Sequence, residues 1–481
     1  MPEFDTLVVG AGPSGLTAAD HLVAAGRRPL VVERSDQIGG LMRSHKRGAF
    51  VVDLGRKELY SRIPDIDQLW NSVLGAAYRP YPHRVGSLFN GRILELSGQY
   101  RGLFRGMPPN LLVAGGVDLI RGWVDGAIRS PENYERFWHQ RVGRRFSQAL
   151  AQGYWEKFRG QSWRTLPAPE VLASGEQATS QGFAAVMQSL KLAARGGVTH
   201  QANWRHPALG TGQLADLLAA RVRRGGGDIW LNAELIALVQ RADGRMLATI
   251  RRGGETMACV AGTVISSLLP EALDELLHLG HAAPQRPGKR TVMLAYLFLD
   301  VPPRFPHAWL EVNDPTLRAG RITNYSGFGG DMVPTGMSAI CVEYFLDEDD
   351  PHLSLLDQHW VEQAVAECQR NQLIDADHVI DSMVIRLDRC NAAASWREEQ
   401  DRGRAALYER LRAYPALFHV HRPGADWASF AGLCAAKAVL EKDRREFDRR
   451  ADPTRSYVAA NAATTKPDSR LRASAMKSPI R

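Results

Sequence analysis

The residues whose spacing is most telling stand at the amino end. Gly10-Ala11-Gly12-Pro13-Ser14-Gly15 is a glycine-rich turn of the kind that cradles the diphosphate of a dinucleotide. Gly10 permits a tight bend, Gly12 lets backbone approach the pyrophosphate, and Gly15 lets the following helix pack closely on the preceding strand. A helix that starts there presents free N–H groups and a partial positive charge to the phosphates. Glu33 follows at the distance from which an acid accepts hydrogen bonds from ribose hydroxyls, and its charge opposes a 2′-phosphate. Gln37-Ile38-Gly39-Gly40-Leu41-Met42-Arg43-Ser44 then adds two glycines and a cation. No nucleophile triad and no metal-ligand spacing stands out elsewhere. The five cysteines (Cys259, Cys341, Cys368, Cys390 and Cys434) are scattered without a CxxC pair. That pattern fits free thiols in a reducing cytosol and argues against a disulfide framework.

Positioning these groups takes a strand, a helix and a second strand. Leu7-Val8-Val9 leads into the glycine turn, Leu16 to Ala25 reads as a helix stopped by Gly26, and Pro29 to Val32 reads as the strand that ends at Glu33. A hairpin over His45 to Val52 leads to Asp53-Leu54-Gly55-Arg56-Lys57, and Asn90-Gly91 marks a second hairpin. Residues 111 to 204 read as helical and carry Trp123, Trp138, Trp155, Trp163 and Trp204, most of them expected in a core. A helix ending near Arg224 precedes the strand Ile229-Trp230-Leu231, the alternating pair Met246–Arg251 and Thr256–Cys259, and an apolar run through Ser266. Four strands (Val292–Leu299, Ala308–Val312, Ile322–Tyr325, Ala339–Phe345) predict an antiparallel sheet, with Arg321, Asn324, Tyr325 and Glu343 facing inward. A helix over Leu356–Gln369, a strand over Met383–Leu387, and helices over Gly403–Leu411 and Trp427–Leu440 follow.

The strand–turn–helix–strand unit with its GG-x-x-R extension resembles the extended FAD fingerprint of glutathione-reductase-like flavoproteins, in the amine oxidase and protoporphyrinogen oxidase branch. The order Tyr154, Lys157, Gly160 in the helical region is similar to a phrase shared with UDP-galactopyranose mutases, with Arg159 in place of the usual tryptophan. The resemblance implies an α/β fold: a glutathione-reductase-type FAD-binding Rossmann domain with an α+β substrate domain, made of an antiparallel sheet plus a helical insert. It implies a discontinuous FAD-binding domain over 1–60, 205–270 and 400–445, a substrate domain over 61–204 and 271–399, and a basic, disordered tail over 446–481. The cofactor contacts it implies are Gly10, Gly12, Pro13, Ser14, Gly15, Glu33, Arg34, Gly40, Leu41, Arg43, Gly55, Leu235, Ser266, Asp426 and Ser429. Leu235 would pair by backbone with adenine, Arg43 would lie by the phosphates, and the helix after Asp426 would face the flavin. The expected flavin-facing histidine is absent: Arg56-Lys57 stand in its place. Lys57 and Arg386 are the candidates for assisting catalysis, Lys57 by stabilising an anionic reduced flavin, with a surface ion pair as the alternative for each.

A length of 481 residues and a hydrophobic content of 44% allow two domains or one composite fold with a full core. No apolar run is long enough to span a membrane and no secretion signal opens the chain, so the expected location is cytoplasmic. The net charge is +8, and from Glu441 onward eleven Lys and Arg face six Asp and Glu, so the tail holds most of it. Such a tail is a solvated extension rather than a nucleic-acid arm, and the mild remainder suits an anionic cofactor and an anionic small-molecule substrate. Three functions remain open: an FAD-dependent oxidoreductase that removes a hydride from a small polar, sugar- or nucleotide-linked substrate; a UDP-galactopyranose mutase-like isomerase that uses reduced flavin without net redox change; and a non-catalytic flavin-binding protein. Substrate, electron acceptor and oligomeric state are not legible.

Overall fold

The computed structural model describes residues 1–96, 106–168, 204–279, 289–392 and 406–451. The chain opens with β1 (Glu3–Val9), α1 (Pro13–Ala24) and β2 (Leu30–Val32). A hairpin of β3 (Ser44–Arg47) and β4 (Phe50–Asp53) follows, then α2 (Pro64–Leu74), β5 (Tyr78–Pro80) and a second hairpin of β6 (Val85–Phe89) and β7 (Arg92–Glu95). The helical insert holds α3 (Pro109–Ile128), α4 (Tyr134–Val142), α5 (Arg144–Ser147) and α6 (Gly153–Arg159), the last two joined by a wide helical turn. The chain returns through β8 (Arg205–Pro207), α7 (Gly212–Arg224), β9 (Asp228–Trp230), β10 (Ala233–Gln240), β11 (Met246–Arg252), β12 (Glu255–Ser266) and α8 (Pro270–Leu277). Next come β13 (Lys289–Leu299), β14 (Trp309–Val312), β15 (Arg321–Asn324), β16 (Ser338–Leu346), α9 (Asp357–Arg370) and β17 (Val379–Ala392). The described chain closes with β18 (Leu417–His419), α10 (Ala425–Glu441) and α11 (Arg445–Arg450).

Two seven-stranded sheets organise the molecule. In the first, β9, β2, β1, β12 and β18 run parallel, and β10, β11 and the first half of β12 form an antiparallel meander. The expected short strand and the apolar run after it are thus one strand, Glu255–Ser266, which serves the meander with one end and the parallel sheet with the other. Its parallel strands are short and apolar throughout, as sequence buried on both faces must be. Helices α1, α7 and α10 cover one face, with Leu16, Leu22, Leu218 and Phe430 in a shared core. Helix α2 joins that core through Ile63, Ile66, Trp70 and Leu74, so residues 63–74 pack with the dinucleotide-binding domain and not with the substrate domain to which 61–204 was assigned. At the other end, Phe447 of α11 is buried in the same core; the tail expected from 446 therefore begins with ordered helix, and residues past 451 fall outside the described residues.

The second sheet runs β17-β13-β16-β15-β14-β6-β7 and is antiparallel except where β6 joins β14 in parallel. The Asn90-Gly91 hairpin forms as expected, both residues at positive φ, but it extends this sheet and does not stand alone. One face packs on α9 through Trp360, Ala364 and Cys368. The other packs on the β3–β4 hairpin, through Phe50, Val52 and Leu54, and on Tyr154 of the insert. Because paired residues share a face, Glu311, Arg321 and Glu343 form one row across β14, β15 and β16 on the side that meets the first domain. Asn324 lies on the opposite face with Ile322, so its expected inward position is corrected; it donates to the Phe305 and His307 carbonyls.

Candidate functional site

The amino-terminal turn folds as its glycines require. Gly10 takes φ +98°, and its N–H donates to the Val32 carbonyl at 2.8 Å. A Cβ on Gly15 would sit 1.9 Å from the Gly10 carbonyl oxygen, so only glycine lets α1 approach β1 this closely. Around Gly12 no heavy atom lies within 4 Å of a built Cβ: the helix mouth is open there. Gly12 caps α1 without a side-chain bond, so the first-turn N–H groups are left for an anion. Glu33 accepts from the Ala11 N–H at 2.8 Å and from the Ser35 N–H and Oγ at 2.9 Å, which fixes its carboxylate beside the turn. The 37–44 segment folds back over it, with the Gly39 N–H donating to the Ala11 carbonyl at 2.7 Å and Gly40 resting against the Gly12 Cα. Arg43 is half-buried, and its Nε is shut away from solvent without a hydrogen-bond partner. A buried guanidinium N–H in that state asks for an acceptor the protein does not supply. Arg34 and Leu41 are exposed at the rim.

The far end of the chain completes the cleft. A Cβ on Gly432 of α10 would stand 2.1 Å from the Ser14 carbonyl oxygen, so the two helices touch backbone to backbone. Seven residues separate Gly432 from the helix start, so α10 begins about 10 Å along from the glycine turn. Its N-cap, Gly424 at φ +83°, makes no side-chain cap bond, and Asp426 lies in the first turn. Ser429, fully buried, has an Oγ without a partner. Ser266 ends β12 between Val9 and His419, at the carboxyl edge where ligands of parallel sheets bind. Leu235 lies two residues beyond the bond from the Ala233 N–H to the Glu33 carbonyl, at a register shift in β10. Ser266, Glu33 and the glycine turn thus share the carboxyl ends of the parallel strands.

Gly55 belongs to a knot between the domains. The Asp53 carbonyl accepts from the Tyr296 and Tyr325 hydroxyls, each at 2.7 Å, and the Gly55 N–H donates to Tyr296 Oη at 3.2 Å. Burial pushes both phenols well above their ordinary range, so they stay protonated donors. The Asp53 carboxylate accepts from Ser44 Oγ at 2.5 Å and the Thr211 N–H at 2.9 Å, which ties the first hairpin to the start of α7. The next N–H, that of Arg56, donates to Glu343 at 2.8 Å. Glu343 also takes two bonds from Arg321, at 2.9 and 2.6 Å, and one from Thr323 Oγ1 at 3.1 Å. Burial works to raise the Glu343 carboxyl, but Arg321 and the Arg56 N–H hold it below its ordinary value, and Lys57 adds a further positive charge.

Around the knot the side chains are charged and aromatic. The Arg56 guanidinium lies 4.4 Å over the Trp309 ring and pairs with Glu58. His83 meets Glu58 at 2.8 Å and stacks on Trp204 at 3.8 Å. Burial raises the Glu58 carboxyl less than His83 and Arg56 lower it, so it sits below its ordinary value. Glu311 goes the other way: burial raises its carboxyl more than Arg321 and Arg56 lower it. Two acids near one arginine are thus pushed apart, the pattern that separates proton donor from anion.

The sequence anticipated Arg321, Tyr325 and Glu343 here and missed Glu58, His83, Tyr296, Trp309 and Glu311. Their convergence depends on strand register, which has no local signal. The Tyr154–Lys157–Gly160 phrase is structural. Lys157 Nζ donates to the Val312, Asp314 and Ala319 carbonyls at 3.1, 2.7 and 3.0 Å, with burial drawing its ammonium down to about 8. Tyr154 Oη accepts from Arg321 at 3.0 Å, so Lys157 holds the insert to the sheet and is not turned toward a substrate. Arg386 is a correction too: it pairs in register with Met293 on the α9 side, contacts Asp388 at 2.5 Å and donates to the Leu353 carbonyl at 2.9 Å. Strand alternation turns it away from the cleft. Cys259, Cys341, Cys368 and Cys434 are buried free thiols, and among the described residues no His, Cys, Asp or Glu cluster could hold a metal.

Residues 8–71 match the model of the NAD(P)-binding Rossmann-like domain. A probable UDP-galactopyranose mutase of Klebsiella pneumoniae is 26% identical over 172 residues, 35% of this chain and 44% of that protein. A phytoene dehydrogenase of Streptomyces griseus is 46% identical over 65 residues, 14% of this chain and 12% of that protein. The matches thus span less than half of either curated relative. Among solved structures, reduced UDP-galactopyranose mutase superposes with a TM-score of 0.71 at 16% identity, covering 94% of this chain and 98% of that one. A protoporphyrinogen oxidase candidate from Exiguobacterium sp. 255-15 gives 0.67 at 14%, covering 92% and 100%. Putrescine oxidase bound to putrescine gives 0.55 at 15%, covering 91% and 99%. No described helix is long and apolar enough to cross a membrane. The chain therefore carries a NAD(P)-binding Rossmann-like domain over residues 8–71, within an overall fold that reduced UDP-galactopyranose mutase, the protoporphyrinogen oxidase candidate and putrescine oxidase share.

Proposed function

We propose that this protein is an FAD-dependent oxidoreductase that takes a hydride from a small polar substrate, held where Arg56, Glu58 and Glu311 meet. One observation carries the reading. The open, uncapped mouth of α1 adjoins fixed Glu33, the segment that carries the unpartnered Arg43 Nε folds back over it, and α10 packs directly on Ser14 of that same helix. Gly10, Gly12, Pro13, Ser14, Gly15 and Arg43 would hold the diphosphate, with Gly40 closing over it and Arg34 and Leu41 at the rim. Glu33 would take the ribose and Leu235 the adenine. Ser266, Asp426, Ser429 and Gly55 would line the flavin half. FAD, when bound, supplies hydride acceptance at its ring. The chain's own residues do the rest. The helix start and Lys57 would bring positive potential to a bound flavin. Tyr296 and Tyr325 lock the Asp53–Gly55 turn. Trp204 and Trp309 exclude water beside the charged groups. Glu311, whose carboxyl burial raises, would take the proton that the substrate's polar group sheds as the hydride leaves, while Glu58 keeps Arg56 oriented.

Purified protein should show flavin absorbance that bleaches anaerobically with the right donor, and a Glu311→Gln enzyme should lose the acid limb of that rate's pH profile. Colourless protein that takes up no added FAD would end the proposal. A second reading, isomerisation without net redox change, is favoured by the near-complete overlap with reduced UDP-galactopyranose mutase and by the charged lining. It requires turnover of UDP-galactopyranose by dithionite-reduced protein and none by oxidised protein. Equal activity of both forms removes it.

A further inference from the structure

Helix α3 is built inside out. Its inward face carries Gly115, Asp118, Gly122, Asp125 and Gly126, and its outward face carries Val113, Val117, Ile120, Val124 and Ile128. The aliphatic side chains are 71%, 43%, 59%, 57% and 73% exposed. The helix cannot roll to hide them. A Cβ on Gly122 would meet the His139 carbonyl oxygen of α4 at 2.1 Å, and one on Gly115 would meet the Phe146 ring at 2.4 Å. Ion pairs from Asp125 to Arg136 at 2.5 Å and from Asp118 to Arg145 at 2.8 Å pin the same face. The exposed stripe is therefore held outward by the packing of the insert.

We infer that α3 is a self-association surface on which a second copy of this chain lays its own α3 antiparallel, about a two-fold axis near Ile120. Three features select that occupant. The stripe is a narrow seam with 4-3-4 spacing over Val113, Val117, Ile120 and Val124, as in helix–helix seams, not the wide apolar face of a helix lying in lipid. Its residues are β-branched aliphatics. Trp123 and the 76% exposed Arg121 flank it, but it holds no Phe or Lys, and the face opposite is packed protein with two acids rather than a basic solvated face. The order also reads nearly the same in both directions. In an antiparallel pair Val113 meets Ile128, Val117 meets Val124, and Ile120 lies at the centre, the self-complementarity a two-fold contact demands. Gly116, with no atom within 4 Å of a built Cβ, leaves room for close approach. About 500 Å² of aliphatic surface per copy, roughly 1,000 Å² for the pair, reaches the floor for a specific interface.

The test is sedimentation velocity of the full flavin-loaded chain at micromolar concentration. The expected mass is twice 53.2 kDa. Ile120→Asp, which places two carboxylates at the axis, should weaken association at least about a hundredfold with an unchanged near-ultraviolet spectrum. Leu356→Asp, at a 79% exposed site elsewhere, should not. An Ile120→Cys protein should oxidise to a cross-linked dimer more readily than a Leu356→Cys protein. A monomeric wild type, a dimer that survives Ile120→Asp, or a monomer that floats with phosphatidylcholine–phosphatidylglycerol vesicles would each overturn the assignment.

Discussion

Glu343→Gln is the sharpest probe of the inter-domain knot. The carboxylate is 2% exposed and accepts four bonds: two from Arg321, one from the Arg56 N–H and one from Thr323. Arg321 is itself 12% exposed in its side chain, and its other neighbours are the neutral Tyr154 hydroxyl and Glu311, whose carboxyl burial raises. The amide would remove the carboxylate that a buried guanidinium is hydrogen-bonded to and leave it Glu311 alone, an event that costs about 3 kcal/mol. With the large denaturant slope of a protein this size, that is a shift of roughly 1 M in urea midpoint, read by tryptophan fluorescence. An Arg321→Met, Glu343→Leu double variant should recover most of the loss, because the cost is the orphaned charge and not the missing attraction. The same residue gives a pH signature. Its folded carboxyl titrates below its ordinary value of 4.5, so its stabilising contribution is full above that value and disappears as pH falls through the folded one. Wild type should lose stability steeply on acidification in that range, and Glu343→Gln less steeply. A Glu343→Gln protein within about 0.5 kcal/mol of wild type, with an unchanged acid limb, would refute the argument.

Arg43→Ala should weaken FAD retention by about tenfold to a hundredfold, the worth of a charge-assisted bond, with the fold intact by circular dichroism; unchanged affinity would remove Arg43 from the diphosphate site. Gly432→Val forces a branched side chain onto the Ser14 carbonyl and should cost about 1–3 kcal/mol along with most bound flavin; a stable yellow variant would mean the chain ends do not meet there. Tyr296→Phe removes the hydroxyl that holds both the Asp53 carbonyl and the Gly55 N–H, at a cost of about 1–3 kcal/mol by thermal unfolding. Arg386→Ala should leave flavin binding and turnover unchanged, since its contacts lie on the α9 side; a hundredfold loss of rate would return it to the site.

The sequence by itself settled what short-range chemistry can settle. The glycines at 10, 12 and 15, the acid at 33 and the cation at 43 are bound to one turn by steric and electrostatic necessity, and they sit where that necessity puts them. Helix α10 was legible as an element, but that its Gly432 packs against the Ser14 carbonyl of α1 was not. The tertiary structure alone decided the rest. The row Glu311–Arg321–Glu343 exists because three strands pair in one register, and a slip of one residue would send all three side chains to the α9 face. Arg386, placed near the flavin by its position in the chain, is removed from it by that same alternation. Lys157, legible in sequence only as part of a shared phrase, is taken by three backbone carbonyls that no local pattern announces. Periodicity specifies which residues lie inside an element, but which charges meet across elements is fixed only when the sheets close on one another.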